Sequence, residues 1–308
     1  MFWQLVAYYT TNKYKDKNVV FLNVDETSIP YNLLPFPGCV ATHGKQPPRM
    51  AVRKEDVRGA LTYVAIICDL VDMQGKLPHY VFGSQTKLTK KLLRGQRCLP
   101  QTTLRIVRQK SGWTSSDNII MILRDLAKVL KAWPTLQPIL LLDAASPHLS
   151  KAVMQSARRH GIQLLYIPAG CTDKLQPLDT HAFSAFKAQL KRRYSDLRSG
   201  SPHGLPDPLE WLFELMECPR SFFAARRWQR AFAAVGAAKP ANVTHLHRDL
   251  REFMQFPGNM PEGIKPSKAQ LQSIFPNDAA WRMPSERCCK NRAVAGTNLQ
   301  LNECVARL

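Results

Sequence analysis

Acid is scarce in this sequence. Its 308 residues hold 23 Asp and Glu against 43 Lys and Arg, a formal net charge of +20. Such an excess makes polyanions the natural partners, because each phosphate neutralised by a Lys or Arg releases condensed counterions, and nucleic acid leads that class. Long apolar runs are missing too. Nowhere do about eighteen apolar residues follow one another, as a membrane-spanning helix requires. The opening MFWQLVAYYTTNKYKDK also lacks the basic-then-apolar order of a signal peptide. A soluble intracellular protein with no membrane partner is expected. Paired cysteine motifs are absent as well: Cys39, Cys68, Cys98, Cys171, Cys218, Cys288, Cys289 and Cys304 include no C-x-x-C and no matching histidine spacing. That excludes a recognisable zinc site or disulfide framework.

What is present is globular in composition, 45% apolar and 21% charged, in a chain long enough to bury a sizeable core. Residues 19–24 (VVFLNV), 60–70 (ALTYVAIICDL) and 77–82 (LPHYVF) read as a meander of strands. A helix capped by Ser116 or Asp117 follows, with Ile119, Ile120, Leu123, Leu126, Leu130 and Trp133 at helical spacing and Pro134 as its stop. Residues 138–143 (PILLLD) form a short, wholly apolar strand of the kind buried on both faces. HLSKAVMQSARRHG is then a helix closed by Gly161, and IQLLYIP a further strand. Strands in a meander followed by strand, helix, strand and helix give the order of an RNase H-like α/β architecture, a mixed sheet flanked by helices.

Charge is uneven along this order. Residues 85–110 (QTKLTKKLLRGQRCLPQTTLRIVRQK) hold eight basic residues and no acid. They are either a solvated basic loop or a phosphate-binding segment, with Lys87, Lys90, Lys91 and Arg94 as its candidate contacts. Lys187 and Lys191 share a helical face away from Phe183, Phe186 and Leu190, and are either solvated or DNA-backbone contacts. Lys191, Arg192 and Arg193 are expected to end that helix, where cations suit the dipole.

Acids, being few, are informative by position. Asp25 and Asp143 each follow a predicted strand and are expected at strand ends, where the chemistry of α/β sheets gathers. If those strands are neighbours, the two carboxylates repel unless a cation lies between them, and hard oxygen donors suit Mg²⁺ or Mn²⁺. Asp179 opens the basic helix after Gln176-Pro177-Leu178. It is either a helix cap or a third ligand. Asp173 is its rival in the same loop. Asp69 and Asp72 read as turn residues. Glu26, next to Asp25 on a strand, points to the opposite face.

Three blocks carry a family resemblance: NVDET at 23–27, LLLDAASPH at 140–148 and YIPAGCTDKLQPLD at 166–179. They resemble those of the DDE-superfamily endonucleases, in particular the pogo and Tigger branch of the Tc1/mariner-type transposases. The resemblance implies that Asp25, Asp143 and Asp179 are a catalytic triad holding Mg²⁺ or Mn²⁺, as two ions, and that DNA is cleaved and joined in the nucleus, with a homodimer on the DNA as a further partner. His148 matches the family's histidine five positions after the second acid, and is otherwise a hydrogen-bonded structural residue. The match covers residues 18–195 and, more weakly, 210–256, where FFAARRWQRAFAAVG is similar to the helical tail after such cores. It divides the chain into a catalytic domain (1–195), a mainly helical extension (196–256) and a loosely structured tail (257–308).

The chain also departs from the family. Ala144 stands where the family's Asp-Asn-Ala block has Asn. Only 24 residues precede Asp25, whereas transposases of this branch carry N-terminal helix-turn-helix modules. A fragment, a degenerate copy or a domesticated relative that binds nucleic acid without cutting is therefore the alternative expectation.

Overall fold

The structure, a computed structural model, describes residues 2–30, 60–86, 88–95, 104–110, 114–200, 206–239, 242–254 and 267. A short helix, α1 (Phe2–Ala7), precedes the first strand, β1 (Asn18–Pro30). Side chains of a strand alternate between faces, and β1 sends Val20, Leu22 and Val24 into one core cluster, Phe21 and Ile29 into another. A strand apolar on both faces belongs inside a sheet. Accordingly β1 lies between β2 (Ala60–Cys68), antiparallel to it, and β5 (Leu136–Asp143), parallel to it.

Beyond β2, β3 (His79–Ser84) continues the meander, with β4 (Leu104–Gln109) parallel to it at one edge. At the other edge β6 (Gln163–Ile167) lies parallel to β5. The order is β4-β3-β2-β1-β5-β6, a mixed six-stranded sheet of the RNase H-like kind.

The acid-free segment is not one open loop. It contains α2 (Lys90–Gly95) and β4. Arg105 and Arg108 break the apolar reading of β4, yet both are engaged: Arg105 Nη1 meets Asp125 Oδ2 at 2.6 Å, and Arg108 Nε donates to the Leu88 carbonyl at 2.6 Å.

One face of the sheet is covered by α3 (Ser116–Leu130) and α4 (Lys151–Arg159). Ile119, Ile122, Leu123, Leu126 and Leu130 of α3 recur at helical spacing and are buried there. The cap of α3 is Ser115, one residue before the predicted pair, its hydroxyl accepting the Asn118 N–H at 3.4 Å.

The other face is covered by α5 (Phe183–Gly200), α6 (Pro208–Pro219), a π-helical turn (Arg220–Ala224), α7 (Gln229–Ala234) and α1. Phe183, Phe186, Leu190 and Tyr194 form the buried stripe of α5. Phe186 lies 4.9 Å from the Tyr63 ring of β2 and 5.0 Å from Phe223. Truncating such a ring costs about 3–5 kcal/mol. The stripe carries the helix past Lys191, Arg192 and Arg193, so this basic run sits mid-helix rather than at the end, and Arg193 pairs with Glu214 of α6 at 2.5 Å. The Trp3 indole of α1 donates to the Val235 carbonyl at 2.9 Å. Gly236 passes beneath that ring at φ 79°, where a Cβ would stand 2.3 Å from Nε1. The mainly helical C-terminal region thus packs on the core of the sheet. The expectation of a loose tail over 257–308 lies, Ser267 aside, outside the described residues.

Candidate active site

The parallel ladder between β1 and β5 runs from Asn18 and Leu136 to Asn23 and Leu141. Two residues further, Asp25 and Asp143 share the parity of Phe21 and Leu141, so both project from the face that α5 covers. Asp143 is the last residue of β5, as expected. Asp25 is not at a strand end: β1 continues to Pro30 because β2 still pairs with it, Asp25 opposite Ala65, after the pairing with β5 has stopped.

The third acid arrives from β6. The chain turns at Gly170 (φ 74°), forms a short helix (Thr172–Leu175) and enters a π-helical segment (Leu178–Ala182) that runs into α5. Asp179 stands one turn before Phe183, on the side of the helix that Phe183 and Phe186 press onto the sheet. It does not cap the segment: the cap position is Pro177 and no side-chain bond is made there. Instead the Asp179 carboxyl lies beside that of Asp25, close enough for a hydrogen bond between them.

The three acids feel one another. Burial first, then the charges of Asp179, Asp143 and Glu26, hold Asp25 well above the usual carboxylate range against one bond from the Glu26 N–H. Burial and the charge of Asp143 also raise Asp179, although the bond from Asp25 and the Lys187 ammonium pull the other way. Burial pushes Asp143 up too, but the bond and charge of His148, with the Ala145 N–H, prevail and leave it below the ordinary value. Close acids whose environments push their pKa values apart are a pattern of catalytic sites. Burial would lower His148, yet its bond to Asp143 and the nearby Glu26 carboxylate carry it up to about 10.

Two further groups were not legible as site residues. Asn23, wholly buried, accepts the Leu178 N–H at 3.0 Å and donates to the Leu141 carbonyl at 3.1 Å. Glu26 takes the face opposite Asp25, as its parity requires, but reaches His148 at 3.7 Å. The other acids fall away from the cluster. Asp173 is exposed and pairs with Lys174 at 2.8 Å. Asp69 accepts the Phe21 N–H at 3.0 Å, fastening β1 to the end of β2, and burial lifts its pKa to about 7. Asp72 lies in the first turn of a short helix (Val71–Gln74).

Of the predicted phosphate contacts, Lys90 and Lys91 are exposed on α2, and Lys187 and Lys191 on successive turns of α5. Lys87 lies outside the described residues, and Arg94 is described in its backbone alone.

Among the described residues no three His, Cys, Asp or Glu side chains already converge as a cation site. Asp25 and Asp179 face each other, and Asp143 faces His148. In kind, however, the donors fit a hard divalent cation: carboxylate oxygens only, two of them side by side, where their mutual repulsion favours a cation between them. A cavity of about 270 Å³, lined by Lys13, Gln137, Arg158 and Gln163 among others, lies at the opposite end of the parallel strands β5 and β6, and the acids take no part in it. No described helix is long and apolar enough to cross a membrane.

Residues 61–209 match the family model of the DDE superfamily endonucleases. This span contains Asp143 and Asp179. No curated protein matched the chain. Among solved structures it is similar to a Mos1 transposase paired-end complex with left transposon end, at 17% identity over 76% of this chain and 62% of that one, with a TM-score of 0.35. The Mos1 strand transfer complex is likewise 17% identical, over 76% and 57% of the two chains, with a TM-score of 0.40. The catalytic domain of Mos1 mariner transposase is 15% identical over 76% of this chain and 91% of that one, with a TM-score of 0.34. The chain thus spans less than two thirds of the length of the transposases in the first two complexes.

Proposed function

We propose that this chain is the catalytic domain of a metal-dependent DNA endonuclease and strand transferase of the transposase type, with Asp25, Asp143 and Asp179 as its ligands. The observation that carries this reading is the meeting of three acids from β1, β5 and the π-helical segment, Asp25 and Asp179 in contact and Asp143 within reach of both charges. A fold gains nothing from pressing carboxyl groups together, since each raises the cost of ionising the next. The finer assignment to the pogo and Tigger branch rests on the Gln176-Pro177-x-Asp179 block.

Bound between these carboxylates, one or two Mg²⁺ or Mn²⁺ ions would make a water or a DNA 3′-hydroxyl nucleophilic and neutralise the leaving oxyanion. The residues prepare for that charge. His148 favours the ionised form of Asp143, a bound cation would do the same for the buried Asp25, and Asp179, the most accessible, faces the incoming DNA. No side chain is needed as covalent nucleophile. Lys187, beside Asp179, and Lys191, Lys90 and Lys91 hold backbone phosphates, with Lys87 and Arg94 proposed alongside them. DNA is the partner, handled by a homodimer in the nucleus.

The test is nicking of supercoiled plasmid in Mn²⁺ by the wild type and by Asp25→Asn, Asp143→Asn and Asp179→Asn. Loss in all three is expected; a triple variant that nicks as well as the parent refutes the assignment. One observation favours a second reading, a relative that binds DNA without cutting. Ala144 packs its methyl against the apolar cluster where the family's block has an amide. A parent that gains stability from Mn²⁺ but does not nick, and is revived by Ala144→Asn, would establish it.

A further inference from the structure

Asp143 is the most firmly held of the three acids. Its Oδ1 is bonded by His148 Nδ1 and by the Ala145 N–H at 3.3 Å, while Oδ2 has no bond among the described residues. The imidazole is buried, its side chain 4% exposed, and its other nitrogen faces Glu26 Oε1 at 3.7 Å. The turn beneath it is fastened at three points. The Tyr166 hydroxyl of β6 donates to the His148 carbonyl at 2.9 Å, the Ser116 hydroxyl of α3 donates to the Pro147 carbonyl at 3.0 Å, and the His148 N–H closes on Ala145 at 2.9 Å. A ring held on both edges and seated on a pinned turn cannot follow a rotation of the carboxylate, so it fixes one.

We infer that His148 and Glu26 are positioning residues: His148, steadied by Glu26, clamps Oδ1 of Asp143 and leaves Oδ2 as the oxygen offered to the metal ion. The inference rests on the reading of Asp143 as a ligand and goes beyond it. It assigns Glu26, on the far face from Asp25, a role through His148 rather than on the metal, and it specifies one-oxygen ligation by Asp143. Groups that orient a ligand in this way typically change metal affinity by about 10- to 100-fold when removed.

The experiment is Mn²⁺ titration of the purified chain, by calorimetry and by the spin-resonance signal of free Mn²⁺, with no DNA present. His148→Ala is expected to weaken binding by about 10- to 100-fold. His148→Asn, whose amide N–H can stand where Nδ1–H stands, is expected to restore most of the loss, which a merely space-filling role would not predict. Glu26→Ala is expected to weaken binding less than His148→Ala, and where His148→Ala fails to fold, Glu26→Ala and His148→Asn carry the test. A Mn²⁺-soaked crystal should show Asp143 ligating through a single oxygen. Wild-type affinity in both His148→Ala and Glu26→Ala, or in Glu26→Ala where His148→Ala cannot be folded, overturns the inference and leaves the metal site standing, as does two-oxygen ligation by Asp143. A wild type that binds no Mn²⁺ overturns the metal site itself, and this inference with it.

Discussion

The backbone N–H of Leu178 donates to Oδ1 of Asn23 at 3.0 Å, and the same amide donates through Nδ2 to the carbonyl of Leu141 at 3.1 Å. One buried side chain thereby ties together the three segments that carry Asp25, Asp143 and Asp179. Asn23→Leu, close in volume, leaves the Leu178 N–H and the Leu141 carbonyl without their partner and should cost about 1–3 kcal/mol per stranded group, read from urea unfolding. Plasmid nicking should fall by more than stability does, because the π-helical segment loses its tether to β1. A variant unchanged in both respects would show that the acids are aligned by packing alone.

Asp179→Asn should separate chemistry from stability. The carboxylate caps nothing, and burial and the charge of Asp143 outweigh the groups that favour its ionised form, so the metal-free variant should melt at the parent's temperature or slightly above it. Nicking and the gain in Tm on adding Mn²⁺ should both fall by a large factor. Asp173→Asn, which disrupts only an exposed pair with Lys174, should alter neither. A melting temperature several degrees lower for Asp179→Asn would restore its structural role.

His79 supplies a pH dependence away from the acids. It is buried between Tyr63 and Phe223, bonded by the Tyr63 hydroxyl at 2.8 Å, and burial lowers its pKa to about 3. The folded value is depressed, so stability is fully present above the unfolded value of about 6.5 and is lost as pH falls towards 3. The expected loss is a few kcal/mol across that window. His79→Asn, which keeps an acceptor near Nδ1, should flatten this part of the curve of unfolding free energy against pH. An unaltered slope would mean that other groups govern the acid transition.

Two classes of cation should respond differently to salt. Lys90→Gln, Lys91→Gln, Lys187→Gln and Lys191→Gln remove exposed charges, and each that meets a phosphate should reduce the slope of log affinity for duplex DNA against log salt by about 0.9. Arg105→Gln and Arg108→Gln remove charges engaged with Asp125 and with the Leu88 and Gln85 carbonyls. These two should lower stability and leave the slope nearly unchanged. The opposite pattern would move the DNA path to β4.

The sheet was largely legible because its central strands are apolar on both faces: VVFLNV and PILLLD lie within strands, ALTYVAIICDL forms β2 up to Cys68, and the meander and the parallel pair follow from their order. What was missed had no local signal. β4 is hidden by its arginines, and only its pairing with His79–Ser84 makes it a strand. The reach of β1 past Asp25 depends on β2, a partner far along the chain. Of the candidate site, the positions of the acids were legible, and so was His148 five residues after Asp143, whereas the contacts that orient them were not: Asn23 to Leu178 and Glu26 to His148 join residues that only the fold makes neighbours.

The link between Asn23 and Leu178 also bears on when the site comes into being. A chain emerging from the ribosome exposes Asp25 long before β5, and β5 before the segment that holds Asp179. Contacts between such distant residues form late, because the intervening loop must first be closed. Until Leu178 has been made and docked, the amide of Asn23 has no third segment to hold, and Asp25 and Asp143 lack their companion. A nascent or truncated chain ending near Gly170 would therefore carry a basic surface and two of the acids without an assembled centre. Its positive charge would be acquired early in synthesis, and the meeting of its three acids only once Leu178 and Asp179 have been made.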